Sequence, residues 1–77
     1  MKEIKIEWCM NFIKKLFEKK HCKGIEVGLF WKMAEKSGLW ERGTYGTPMS
    51  DALECLTRIE DLRDGKGNYM FSVFRLI

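Results

Sequence analysis

Residues 47–76 limit the possible folds of this chain more than any other stretch. Thr47-Pro48-Met49-Ser50 places a capping hydroxyl before a proline, at the position in a helix where a missing N–H costs nothing. An amphipathic stretch then runs toward Ile59, with Met49, Ala52, Leu53, Leu56 and Ile59 on its apolar stripe. The opposite face carries Ser50, Asp51, Glu54, Thr57, Arg58 and Asp61. Residues 60–63 are expected to form a short strand, Asp64-Gly65-Lys66-Gly67 a turn, and residues 68–76 a return strand. Strict alternation in that strand places Tyr69, Phe71 and Val73 opposite Met70, Ser72 and Phe74. A helix and a hairpin with one apolar face each must bury those faces against the rest of the chain.

The rest is short. At 77 residues there is room for one domain, expected over 1–77, which buries about 60% of its unfolded surface. Residues 3–20 repeat apolar side chains at helical spacing, with Ile6, Cys9, Met10, Ile13, Leu16 and Phe17 on one face. Trp8 and Phe12 fall on a flank shared with Lys15 and Lys19. That flank offers more apolar surface than one small core requires; a second copy of the chain could cover the excess, giving a homodimer through the first helix, or the protein could close over it internally. After the break at His21-Cys22-Lys23-Gly24, Ile25-Glu26-Val27 can supply a short strand. A second helix follows over residues 27–37, with Leu29, Phe30, Met33 and Ala34 on its inner face and Gly38 at its left-handed cap. Leu39 and Trp40 then return to the core, and residues 41–46 form a glycine-containing loop.

The order helix, short strand, helix, loop, helix, hairpin resembles the winged-helix domains, an α+β fold of three helices, a short strand and a C-terminal β-hairpin wing. Residues 51–56 and 64–69 look like the segment from recognition helix to wing in small bacterial, phage or archaeal-virus regulators. The resemblance implies a DNA-binding transcriptional regulator of the cytoplasm that holds double-stranded DNA with its third helix and wing. The implied contacts are Ser50, Asp51, Glu54, Thr57 and Arg58 on the helix, and Arg63, Lys66 and Asn68 in the wing. Arg42, Thr44, Tyr45 and Thr47, just before the helix, would add backbone contacts.

Charge runs against that implication. The net charge is +3, but residues 1–23 hold seven lysines against three glutamates, so the remainder carries seven basic and eight acidic residues. Asp51, Glu54 and Asp61 would set negative charge beside a polyanion, whereas DNA binders gather Lys and Arg to release counterions. The alternative on the same fold is a non-enzymatic protein-interaction module or inhibitor, such as a phage-encoded anti-CRISPR-like protein with a host protein as partner. Trp8, Phe12, Lys15 and Lys19 would then be interface residues.

Other chemistries have less support. Gly43-Thr44-Tyr45-Gly46 has the spacing of an RNA-clamping G-x-x-G loop, yet no basic residue lies between the glycines. Cys9, His21, Cys22 and Cys55 lack the paired spacing of a zinc site or disulfide framework, so no metal or cofactor is expected. His21 has no identifiable carboxylate or nucleophile beside it, and no enzymatic activity is expected. Neither a spanning segment nor a signal peptide is apparent, and the first helix is a poor membrane anchor because glutamates interrupt its lysines. The aromatic residues Trp31, Trp40, Tyr69, Phe71 and Phe74 read as core packing rather than a stacking platform, with Phe71 and Phe74 on opposite sides of their strand.

Overall fold

A computed structural model describes residues 3–20 and 24–77. Within them the order is α1 (Ile6–Lys20), β1 (Ile25–Glu26), α2 (Val27–Ser37), α3 (Pro48–Leu56), β2 (Thr57–Arg63) and β3 (Tyr69–Leu76). The described residues thus form an α+β arrangement of three helices and one antiparallel sheet in the order β1-β3-β2. β3 is central because it pairs with β1 through Ile25↔Phe74 and with β2 from Thr57↔Leu76 to Arg63↔Tyr69.

Local chemistry accounts for the helix ends. Gly38 adopts φ 83° and donates its N–H to Glu35 O, a left-handed cap that a residue with a Cβ enters at a cost. Ser37 Oγ donates to Ala34 O at 2.7 Å and accepts from Leu39 N at 3.2 Å, turning the chain so that Leu39 and Trp40 pack back on the core. At α3 the Thr47 side chain accepts from Ser50 N at 3.3 Å, and Pro48 occupies the first turn. α1 begins at Ile6, three residues later than the periodicity suggests, and β1 ends at Glu26 because Val27 already opens α2.

The third helix is shorter than its apolar stripe implies. It stops at Leu56, and Thr57, Arg58 and Ile59 belong to β2. Thr57 turns extended at φ −133°, and both its N–H and its hydroxyl donate to Leu53 O, the latter at 2.6 Å. One threonine therefore satisfies an orphan helix carbonyl while its β-branched side chain starts the strand. Helix passes into strand without a loop, and Ile59 loses its place on the buried stripe.

The core is built where the helices meet the base of the sheet. α3 packs chiefly across α1, and α2 across β1 and β3. Phe30, Ile13, Met49 and Cys9 are fully buried. The Phe30 ring meets Phe12 at 6.1 Å, Trp31 at 5.5 Å and Phe74 at 5.2 Å in edge-on arrangements, each pair contributing about 0.5–1.5 kcal/mol beyond area burial. Phe12, placed on an outer flank by its helical angle, is thus half-buried against α2. On the other face of the sheet Val73 is buried beside Gly24, where a Cβ would lie 3.1 Å from Val73 Cγ2.

β2 and β3 continue beyond this core. Their seven and eight residues span about 25 Å, and the molecule extends 47 Å along its long axis against 26 and 20 Å across it. A bulge interrupts the ladder, with Leu62 opposite Phe71 but Arg63 opposite Tyr69, so Met70 is the extra residue. The bulge moves Tyr69 to the face of Ser72, opposite to where strict alternation puts it. Tyr69 Oη and Ser72 Oγ lie 2.9 Å apart, and Ser72 Oγ donates to Asp61 Oδ1 at 2.6 Å.

Candidate interaction surface

The polar residues expected to contact DNA do not come together on one helix face. Asp51, Glu54 and Cys55 are exposed on α3, with Ser50 half-buried at its start. Thr57, 7% exposed, is committed to Leu53 and has no outward role. Arg58 is exposed on β2, opposite Arg75 across the ladder, and Arg75 pairs with Glu60. The outer face of α3 is consequently acidic, without the arginine expected to offset Asp51 and Glu54.

At the far end of the hairpin, Asp64 organises the turn. Its Oδ1 accepts from Lys66 N at 2.8 Å and Asn68 N at 2.9 Å, and Oδ2 accepts from Asn68 Nδ2 at 3.4 Å. The backbone N–H groups of Asn68 and then Lys66 hold the carboxyl below the ordinary carboxylate range. Gly67 takes φ 83°, and Arg63 Nη1 donates to its carbonyl at 3.1 Å. Arg63 and Asn68 therefore help to build the tip, where exposed Arg63 and Lys66 both carry positive charge. Before α3, Thr44 Oγ1 donates to Glu41 O at 2.6 Å, Arg42 Nε lies 3.5 Å from Glu35 Oε2, and Tyr45 is 93% exposed. Thr47 is spent on the helix cap.

Much of the apolar exposure lies on the hairpin, while Leu29, expected on the inner face of α2, is also exposed, as are Ile6 and Trp8 on α1. Ile59, 62% exposed, along with Tyr69, Met70, Phe71 and Leu76, is exposed on β2 and β3, with Ile59, Tyr69 and Leu76 on the face of Phe74 and Phe71 on the opposite face. Sequence reasoning missed this concentration because it placed Ile59 on a helix and counted Tyr69 and Phe71 as core. The available signal was length, since a hairpin of this span outreaches a core made by helices this short. On α1 the expected interface separates: Trp8 is 42% exposed with Lys5 Nζ 6.0 Å from its ring centre, Phe12 turns inward, and Lys15 and Lys19 remain exposed. Around Trp40, three open depressions of about 190, 300 and 360 Å³ adjoin. The largest is walled by Trp31, Trp40, Thr44, Tyr45 and Ser50.

Compared with known proteins, the chain matches no family model, no curated protein and no solved structure. Among the described residues no helix is long and apolar enough to cross a membrane, and no group of three or more His, Cys, Asp and Glu side chains is placed to hold a metal ion. His21 and Cys22 lie outside the described residues. Cys9 is buried, and burial pushes its thiol pKa up, while Cys55 is exposed on α3. The two therefore differ in surroundings and do not share a site.

Proposed function

We propose that this chain is a non-enzymatic protein-interaction module on a winged-helix-like scaffold, with the β2–β3 hairpin as its principal contact surface. The observation that carries the reading is the pairing of an acidic α3 face with an apolar hairpin. Asp51 and Glu54 oppose entry of α3 into a DNA groove, where phosphate contacts supply most of the binding energy. Exposed Ile59, Tyr69, Met70 and Phe71 suit a protein surface instead, since aromatic and methionine side chains are enriched where proteins meet. A small two-stranded arm gains little stability alone, and covering its apolar side chains with a partner offsets that weakness.

The test is affinity capture with the chain as bait, beside a Met70→Ser/Phe71→Ser variant that melts at a similar temperature. A protein retained by the first and lost by the second is the expected result. Equal capture by both would remove the hairpin from the interface and overturn the assignment. Lys66 at the tip favours the regulator reading, and a salt-dependent interaction with duplex DNA would restore that reading.

A further inference from the structure

β2 is an edge strand whose outward bonding groups can be named. Among the described residues it pairs with β3 alone, so its other side is open. The phase of the ladder is set near its two ends, where Ile77 N donates to Leu56 O at 3.0 Å and Asp64 N to Asn68 O at 2.9 Å. A direct bond between facing residues marks a hydrogen-bonded pair, and such pairs recur at every second residue. Arg58, Glu60 and Leu62 therefore bond β3, while the N–H and C=O groups of Ile59 and Asp61 point away from it. The N–H of Thr57 goes to Leu53 O, which leaves its carbonyl on the outward side. An open row of this kind is a template for another strand.

Charge selects the occupant. Arg58 stands opposite Arg75, which pairs with Glu60, and Arg58 itself has no ion pair among the described residues. Against a second β2 running the other way, with Ile59 on the twofold axis, Arg58 faces the partner's Glu60 and Glu60 faces the partner's Arg58. The other registers lack this match. An axis at Arg58, Glu60 or Asp61 sets that charge against its own copy, and an axis at Leu62 leaves only residues 61–63 of β2 in register. An axis between residues opposes an outward group to one already bonded to β3. We infer that β2 pairs antiparallel with the β2 of a second copy about an axis at Ile59, joining two three-stranded sheets into one. Ile59 exchanges backbone bonds with its own copy and covers a side chain that is 62% exposed in the single chain. Each Asp61 N–H donates to the partner's Thr57 carbonyl. The contact is self-complementary and closes at two chains, and it is smaller than stable complexes use, so association is reversible. It holds whether or not Met70 and Phe71 bind another protein.

Sedimentation equilibrium of the full chain over a concentration series at low salt tests the pairing. The unaltered chain is expected to pass from one-chain to two-chain mass as concentration rises. Arg58→Glu should weaken the dimer about thirtyfold, because two cross-strand attractions become repulsions. Its melting temperature should stay level or rise, since the same change removes the like-charge pair with Arg75. Ile59→Lys, at an exposed position, should weaken the dimer about tenfold or more by setting two ammonium groups on the axis. A one-chain mass at every concentration overturns the pairing. So does a dimer that neither substitution weakens, which would belong to another face such as that of Trp8. If the chain stays monomeric while a captured protein still depends on Met70 and Phe71, the pairing falls and the interaction module stands. If the dimer responds as expected and nothing is captured, the pairing stands and the module falls.

Discussion

The two halves of the β2–β3 hairpin belong to one ladder yet live in different environments. At its base, Phe74 is 5% exposed and meets Phe30 edge-on, while three residues earlier Phe71 is 38% exposed with no ring partner among the described aromatic pairs. The base is held by apolar packing and is part of the fold. The outer half is held by the ladder, by the Tyr69–Ser72–Asp61 hydrogen bonds and by the Asp64 turn. The same residue type therefore supports stability at one end and is available for recognition at the other.

Substitution at matched aromatic positions is the strongest way to break that contrast. Phe30→Ala, in the fully buried cluster, is expected to cost about 3–5 kcal/mol in chemical denaturation, enough to unfold much of a domain this size. Phe71→Ser on the outer half is expected to cost about 1 kcal/mol or less while reducing partner capture. Comparable losses from the two would mean that the outer half is also core.

The helix ends test the boundary between the halves. Thr47→Ala removes the α3 cap and is expected to cost about 1 kcal/mol. Thr57→Val keeps the shape of the side chain but deletes the hydroxyl bond to Leu53 O, and a cost of about 1 kcal/mol is expected in the same assay. If Thr57→Val were neutral, the Thr57 N–H alone would suffice to end the helix.

The smallest effect is local and depends on pH. Since the folded carboxyl of Asp64 titrates below its ordinary value, its contribution to the turn is fully present above the ordinary carboxylate range. That contribution is lost as pH falls through the depressed folded value. Amide resonances of Lys66 and Asn68 are expected to shift together in that acid window while those of Phe30 stay fixed. Asp64→Asn should abolish the titration, and its persistence there would assign it to another group.

Much of the base was legible in the sequence, and the reasons are local. Thr47-Pro48 and Gly38 declare helix ends through chemistry carried by the residues themselves, and the stripe Cys9, Ile13, Phe17 needs only helical periodicity. The rest of the hairpin was less legible because it depends on pairing across the sheet. Ile59 continues the apolar rhythm of α3, and nothing in its own neighbourhood reveals that pairing with Phe74 draws it into a strand. The bulge at Met70 is likewise a property of two strands, so alternation along one of them assigns Tyr69 to the wrong face. The depression beside Trp40 escaped for a related reason: Trp31 and Trp40 do pack on the core, yet both also line an opening with Tyr45.

The central claim, that this surface is made for protein and not for nucleic acid, is tested most directly by fluorescence anisotropy of a labelled random-sequence duplex titrated with the chain at low salt and at near-physiological salt. The account predicts no saturable binding through α3 and the hairpin, so any weak low-salt signal should be unchanged by Lys66→Ala and lost when the lysines of α1 are neutralised. Binding that falls steeply with salt, and whose salt slope drops by about one unit in Lys66→Ala, would contradict it.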